Sequence, residues 1–373
     1  MYRIFIVILI ASIVLSCSKN ESNYDIKEVE GVRHYYNKNI PAKPNLKFES
    51  ESIFKINSGS NSQNEFSNIL HFTCNASGNI FIIDKDSKIS QYDSQNNFIN
   101  SFGRKGKGPG EIENPTDIVV LGDTILVPDE TRKVVKFDLE GKYIGDFYLT
   151  QGTPKIIFPI GKEKFLCAKD NYIETDDGYD WILTTSINTS KFEQLKIIDE
   201  QKVKWLPKNI SLLDFIPIYA VGAKDIYFAE QSKTNYTVQV FDSEGIEKYI
   251  IHKSYMKTSL TEKEISLLNT IHKKYGLGLI TEDSKNSITK IFEDKYGFLW
   301  VFSRTNDEEE ENKLFVDLFK DGIFQNRVHI DLIDNYQYSD CNRYWLFFAN
   351  HLIYLYDNED KTVEVFNYKI SES

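Results

Sequence analysis

The sequence predicts an all-β fold, a six-bladed β-propeller with four-stranded blades and one inserted helix. Three observations predict it: a composition that favours strands, a repeated unit of alternating strands, and one segment with helical periodicity. Aromatic residues make up 14% of the 373 residues, and Tyr and Phe account for most of them. Aromatic and β-branched side chains fit the pleated, half-buried surface of a sheet.

The clearest repeat occupies residues 78–103 and 122–147. Each copy begins with a strand that follows Gly and ends in Asp, at Asp84 and Asp129. A polar turn leads to a strand that closes on an aromatic-Asp pair, and a last strand ends in Phe. The two pairs are Tyr92-Asp93 and Phe137-Asp138, about 45 residues apart, and a repeat of this length indicates a solenoid or a propeller.

Four weaker copies follow, at 161–198, 223–255, 297–330 and 342–370. Three of them keep an aromatic residue near an aspartate, as Phe241-Asp242, Phe319 with Asp321, and Tyr356-Asp357. Six units fall within the range of about four to eight blades that propellers have. The sequence therefore predicts six blades.

Residues 257–278 interrupt the strand pattern. Thr261 stands three residues before Glu264, which is the spacing of a capping box. Apolar residues then recur at helical spacing until Gly276, namely Ile265, Leu268, Ile271 and Tyr275. We predict a helix near 261–275, inserted between the fourth and fifth units, with its apolar stripe packed on the propeller.

Ring closure requires the last blade to pair with an early part of the chain, since an open sheet edge would remain otherwise. Two β-like segments precede the first full unit, at 32–40 and 46–56. We expect one of them to supply an outer strand to the sixth unit.

The N-terminus has the pattern of an export signal. Residues 4–15 are almost all apolar, a run too short to span a bilayer but typical of a signal peptide. Val14-Leu15-Ser16-Cys17 resembles a bacterial lipobox, which implies that Cys17 is lipidated and becomes the mature N-terminus. We predict a signal peptide over 1–16, a flexible tether over 17–29, and a propeller over 30–373, anchored in the cell envelope, at the outer membrane. The alternative is a secreted protein with a cysteine near its cleavage site.

Charge and cysteine spacing exclude other classes of protein. The formal net charge is −11, which argues against nucleic acid as a partner because phosphate binding needs clustered Lys and Arg. Beyond the signal, Cys74, Cys167 and Cys341 are widely spaced, so neither a zinc site nor a disulfide framework is indicated. One long-range disulfide and three small buried thiols remain the alternatives.

The loop GRKGKGPG, residues 103–110, lacks the spacing of a phosphate-binding P-loop. Pro115 follows it and disfavours a helix at that point, and a strand is expected at 118–121. The glycines therefore connect two units. Arg104, Lys105 and Lys107 form the densest basic group of the chain and are candidate ligand-binding residues for an anionic glycan or a carboxylate. The alternative is a solvated loop.

The segment 102–147 resembles the NHL repeat in its FG-x-x-G-x-GPG-x-x-x-x-P linker and its strand-Asp-turn-aromatic-Asp body. With the lipobox and the lead-in EGVRHYYN (30–37), the whole chain resembles the bacterial lipoproteins known as six-bladed β-propellers. The resemblance implies an NHL- or TolB-like propeller. It also implies a protein, peptide or glycan ligand, although some relatives of such propellers are enzymes.

Catalytic motifs are absent from the sequence. Its six histidines show no HxH or HExxH spacing, and no G-x-S-x-G occurs. The enzyme alternative is a calcium-dependent lactonase or esterase, for which Asn68, Asp117 and Asn286 are channel-mouth candidates that do not complete a ligand set. The acidic run 307–311 reads as a solvated loop.

We therefore predict a non-catalytic binding protein without a cofactor, with calcium as the one cation left open. A third hypothesis is a structural component of the envelope.

Overall fold

The structure, a computed structural model, describes most of the chain. The described residues are 22–57, 66–150, 152–176, 178–205, 218–274, 276, 278–280, 283–303, 313–333, 344–349, 351–357 and 359–372. The signal peptide 1–16, Cys17, the acidic run 307–311 and Cys341 lie outside them. Across the described ranges, no helix is long and apolar enough to cross a bilayer.

Three strands precede the first blade: β1 (Tyr24–Val29), β2 (Val32–Asn37) and β3 (Leu46–Asn57). Blade 1 contains β4 (Ile69–Cys74), β5 (Ile80–Asp84), β6 (Ile89–Tyr92) and β7 (Phe98–Phe102). Blade 2 contains β8 (Val119–Leu121), β9 (Thr124–Pro128), β10 (Lys133–Asp138) and β11 (Tyr143–Tyr148). Blade 3 contains β12 (Pro154–Ile160), β13 (Lys164–Thr175), β14 (Gly178–Thr189) and β15 (Gln194–Trp205).

Blade 4 contains β16 (Ile218–Val221), β17 (Asp225–Ala229), β18 (Thr237–Asp242) and β19 (Glu247–Lys253), and α1 (Glu262–Lys274) follows it. Blade 5 contains β20 (Ile288–Glu293), β21 (Leu299–Ser303), β22 (Leu314–Lys320) and β23 (Ile323–Ile330). Blade 6 contains β24 (Tyr344–Ala349), β25 (Leu352–Asp357) and β26 (Thr362–Glu372), with β3 as its fourth strand. Six antiparallel sheets thus confirm the predicted propeller and its four-stranded blades.

Two faces of the ring differ in their connections. We call the face where the chain enters each first, inner strand the upper face. Links between blades, and those between second and third strands, lie there. Lower-face connections have at most five residues, whereas the upper face carries links as long as residues 103–118 and 254–287. Long insertions are therefore confined to the upper face.

Aspartates close the tight turns and explain the repeat. The Oδ1 atom of Asp93 accepts the N–H groups of Gln95 and Asn97 at the turn between the third and fourth strands. Asp138 and Asp242 make the same bonds in blades 2 and 4. A side chain that bonds its own backbone two residues on mimics a turn.

The preceding aromatic residue is buried between blades, so the aromatic-Asp pair couples a turn to the core. In blade 6 the pair is displaced, since Tyr356-Asp357 ends the second strand, β25, and matches Asp84 and Asp129 instead.

The two N-terminal β segments join different blades. β3 pairs antiparallel with β26 and closes the ring, as expected for 46–56. β2 pairs parallel with β19 at the outer edge of blade 4, and β1 pairs with β2. The predicted tether over 17–29 is thus too long, because a strand begins at Tyr24. Backbone pairing with blade 4 orders this segment despite its polar composition.

The predicted helix is confirmed between blades 4 and 5. The Glu264 carboxylate accepts the Thr261 N–H, and the Thr261 hydroxyl accepts the Glu264 N–H, which is the predicted capping box. Of the predicted apolar stripe, Leu268 is buried and Ile265 and Ile271 are half-buried, whereas Tyr275 lies outside the described residues. Lys285 lies 2.7 Å from the buried Glu264 carboxylate and neutralises it.

Truncation of one side chain on the closing strand should weaken the whole ring. Ile56 of β3 is 3% exposed in a core shared with blades 1 and 6, whereas Ile53 of the same strand is 48% exposed. We expect Ile56→Ala to lower the free energy of unfolding by about 2–5 kcal/mol through a buried cavity. Ile53→Ala should stay within about 0.5 kcal/mol of wild type. Urea denaturation measures both, and equal losses would contradict closure by β3.

Candidate binding site at the upper face

The glycine-rich loop surrounds a carboxylate of the chain itself, that of Glu111. The Glu111 carboxylate accepts the Gly108 N–H at 2.8 Å and lies 2.9 Å from the Arg104 guanidinium. These two groups hold the pKa of Glu111 below its ordinary value. A Cβ at Gly106, whose φ is +155°, would lie 2.2 Å from the Glu111 Oε2. A side chain at position 106 would therefore displace the Glu111 carboxylate from these two partners.

A buried lysine fixes the loop from below. The Lys133 ammonium, on β10, donates to the carbonyls of Gly108 and Glu111 at 3.0 and 2.6 Å. Ile112 is fully buried between blades 1 and 2 and anchors the other side of the loop. The loop is therefore a rigid part of the ring.

The predicted basic residues are mostly neutralised. Arg104 pairs with Glu111, and Lys107 lies 3.3 Å from the Glu113 carboxylate. Of the three, Lys105 is exposed with no carboxylate partner among the described residues. A binding role for Arg104, Lys105 and Lys107 stays a prediction, and the two ion pairs argue against a strong anion site.

A second feature of the upper face is a polar bridge between inner strands. Asp117, two residues before β8, lies 3.4 Å from the His71 Nδ1 of β4. Its other oxygen accepts the Ile157 N–H of β12 at 2.9 Å. One carboxylate thus connects the inner strands of blades 1, 2 and 3. A register shift in β4 between Ile69 and His71 fits the tendency of bulges to re-aim side chains.

Burial disfavours the charged forms of this pair. It raises the pKa of Asp117 to about 7 against the N–H bonds from Ile118 and Ile157, and lowers the pKa of His71 to about 4. The side chains are 14% and 31% exposed, so solvent still reaches them. Between these values the pair is a neutral imidazole beside a neutral carboxyl, able to donate and accept hydrogen bonds.

A third titratable group lies on the inner strand of blade 5. The Lys290 ammonium donates to the Leu346 carbonyl of β24 and lies 5.7 Å from the centre of the Phe348 ring. Burial lowers the pKa of Lys290 to about 8. Desolvated groups with perturbed pKa values are typical of functional sites, although structural networks produce them too.

The three channel-mouth candidates have different surroundings. Asp117 meets His71, which the sequence did not single out. Asn68 is exposed, and its carbonyl accepts the Lys85 N–H. Asn286 is half-buried two residues before β20. In the part of the chain that the structure describes, no three His, Cys, Asp or Glu side chains converge on a cation site, so the calcium-dependent alternative gains no ligand set there.

Blade 3 rises above the upper face as a flap, which we define as residues 170–175, 178–183 and 199–205. β13, β14 and β15 have 12 residues each, whereas β12 has seven and pairs only as far as Lys169. Six extra residues extend a strand by about 20 Å. Tyr172 and Tyr179 are 53% and 48% exposed on the flap, and Tyr172 stacks on Trp181 at 6.4 Å.

The sequence contained a weak indication of the flap. Unit three has longer turns than its neighbours, but a long turn and a long hairpin look alike until the register is known. Cys74 and Cys167 are free thiols, and burial raises the pKa of Cys74 to about 12. Neither is a nucleophile at neutral pH, because the thiolate is the reactive form.

The glycine loop can be tested by a double-mutant cycle. Gly106→Ala should lower the free energy of unfolding by about 1–3 kcal/mol, because the new methyl group overlaps the Glu111 carboxylate. The same change should cost less in a Glu111→Ala background, where the overlap is gone. Urea denaturation of the four proteins gives the coupling. Additive losses would contradict this arrangement of the loop.

The His71–Asp117 pair should show opposing pH dependences. Between about pH 4 and its ordinary value of 6.5, His71 binds a proton only in the unfolded chain, so its contribution to stability rises with pH. Between its ordinary value of 3.8 and about 7, Asp117 holds a proton only in the folded chain, so its contribution falls as pH rises.

Each single substitution should therefore leave only the partner's contribution to the pH dependence of stability. Relative to wild type, Asp117→Asn should make stability rise more steeply from pH 4 to 6.5, and His71→Gln should make it fall, by up to about 1.4 kcal/mol per pH unit. Urea denaturation across this range measures the slopes. Asp123→Asn, on an exposed turn of blade 2, is the control. Slopes of one sign in both variants would contradict the arrangement.

Comparisons with known proteins agree with this architecture. The family described as "6-bladed beta-propeller" matches residues 93–204, less than a third of the chain. A solved structure of a "putative exported protein" from Bacteroides fragilis is similar, with a TM-score of 0.53 and 13% identity, over 91% of this chain and 99% of that one.

The WD40 β-propeller domain of Doa1 is also similar, with a TM-score of 0.42 and 8% identity, over 86% of this chain and 97% of that one. No curated protein matches the sequence. The family match supports the six-bladed propeller, and the Bacteroides fragilis structure shares the overall fold.

Proposed function

We propose that this chain is an exported, lipid-anchored propeller of the cell envelope that binds a glycan or peptide at its upper face without catalysis. The observation that carries the proposal is the flap of blade 3, which extends exposed aromatic side chains above the upper face. Insertions on one face of a rigid scaffold are where binding residues concentrate.

The flap offers a surface suited to stacking. Tyr172 and Tyr179 are both about half exposed, although aromatic rings of this size usually bury most of their surface. Ile173 is 45% exposed beside them. Aromatic rings with a polar tip contact the apolar face of a sugar or a peptide side chain and keep a hydroxyl for hydrogen bonding.

The inner strands of the propeller supply hydrogen-bonding groups. His71, Asp117 and Lys290 lie on or next to inner strands and are drawn towards their neutral forms by burial. Groups of this kind fix the orientation of a ligand in a site that is otherwise apolar. They suit a polar, largely uncharged ligand, in keeping with the paired state of Arg104 and Lys107.

Export and lipid anchoring rest on the sequence at 1–17. The short apolar run followed by Cys17 supports a cleaved lipoprotein signal, and the similar Bacteroides fragilis chain carries the description "putative exported protein". Labelling with a radioactive fatty acid should mark the wild-type chain and leave Cys17→Ala unmarked.

Binding can be tested on an array of glycans and peptides. The wild-type chain should retain one class of ligand, and Tyr172→Ala combined with Tyr179→Ala should weaken binding by about tenfold or more through lost stacking. Tyr148→Ala removes a ring that is 69% exposed at the outer edge of blade 2 and should change nothing. Equal effects of the flap and control variants would exclude the flap.

Calcium-titrated thermal unfolding separates this function from the enzyme alternative. We expect no calcium-dependent rise in Tm, since a ligand stabilises the native state only where a specific site exists. A saturable rise would favour the lactonase or esterase hypothesis over simple binding.

A further inference from the structure

We propose that the upper corner of blade 4 is a membrane-contact surface that lies on the lipid bilayer. We define this corner by Asn23, Ile40 and Met256, and Leu279 lies in the same insertion, 254–287, that begins beside them. The inference rests on the proposed lipid anchor at Cys17 and adds the orientation of the propeller on its membrane. Three observations support it: where the N-terminus joins the ring, how short the preceding segment is, and which side chains surround the junction.

The junction lies at the upper end of the outer edge of blade 4. β2 runs parallel to β19, so its last residue, Asn37, is at the upper face. β1 runs the opposite way, which places Tyr24 opposite Asn37. The Ser254 N–H donates to the Asn37 carbonyl at 2.9 Å. The N-terminus therefore enters the ring beside the start of the insertion 254–287.

The segment between the lipidation site and the ring is short. Six residues separate Cys17 from Tyr24, and the seven Cα-to-Cα steps of such an extended chain span at most about 25 Å. A chain anchored through Cys17 thus keeps Tyr24 within that distance of the bilayer surface. The hairpin β1–β2 cannot lengthen this segment, because it pairs with blade 4.

The side chains at this corner suit a lipid interface. Met256 and Leu279 are 76% and 75% exposed, the two highest values among the large apolar residues that the structure describes. Ile40 is 45% exposed, and its neighbour Pro41 accepts a hydrogen bond from the Asn23 side chain. Lys257, next to Met256 in the chain, lies 2.8 Å from the Asp283 carboxylate, so the contact would rest on burial of the apolar side chains.

The binding energy expected from this corner is small, and the anchor makes it sufficient. Burial of two or three apolar side chains gives only weak binding for a free protein. An anchored chain holds the corner beside the bilayer at high effective concentration, so even weak contacts form. Lipid contact at this corner would orient the upper face relative to the membrane.

Photo-crosslinking tests the proposal on the processed, lipidated chain in vesicles of phosphatidylethanolamine and phosphatidylglycerol. Benzoylphenylalanine replaces Met256 or Leu279 in turn, and Tyr148, 69% exposed on blade 2, is the control position. We expect lipid adducts at 256 and 279 to exceed those at 148 by about fivefold or more. Equal adducts at all three positions, or protein adducts in place of lipid, would overturn the proposal.

A second variant separates this proposal from the anchor. Met256→Ser combined with Leu279→Ser should leave the chain in the membrane fraction, while adducts from a crosslinker at Ile40 fall about fivefold or more. Unchanged adducts at Ile40 would count against the corner and leave the anchor intact. Failure of Cys17→Ala to release the chain from the membrane would refute the anchor, and with it the premise of the corner.

Discussion

Closure of the ring by an N-terminal strand is the constraint on which the rest of the structure depends. β3 pairs with β26 over eleven residue pairs, so the first and last strands of the ring lie in one sheet. Pairing with β3 covers the edge of β26 that would otherwise be open to another chain. To reach blade 6 from blade 4, the chain must cross blade 5, and it does so through backbone bonds from Ala42 and Lys43 to β23. Residues 22–57 therefore bind the outer edges of three blades together.

The two faces of the ring differ in the connections that their aspartates hold. On the lower face, Asp93 and Asp138 accept backbone N–H groups within the turns that they begin. On the upper face, Asp84 and Asp129 hold the ends of two links that lead into inner strands, since they accept the N–H groups of Ser67 and Glu113. The part of each link before its anchored end can therefore lengthen without disturbing the blade that follows.

The sequence predicted most of the fold because its signals are local. Alternation, turn aspartates and the capping box at Thr261 and Glu264 each involve residues a few positions apart, and the structure confirms them. The strand with which each N-terminal segment pairs was harder to predict. Nothing local distinguishes β2, which joins blade 4, from β3, which closes blade 6. The displaced pair Tyr356-Asp357 misled the alignment of unit six for the same reason, since an aspartate at the end of the second or third strand has the same local sequence.

The candidate site was predicted less well because its basic residues were considered without the carboxylates that pair with them. The basic loop seemed open to an anion when only Arg104 and Lys107 were considered, yet their partners Glu111 and Glu113 follow seven and six residues later and neutralise both. By contrast, His71 and Asp117 are 46 residues apart and meet only because adjacent inner strands converge. A chain of net charge −11 that pairs its most basic loop internally offers little to a free anion. Recognition through stacking and neutral hydrogen-bonding groups is the chemistry that the upper face retains.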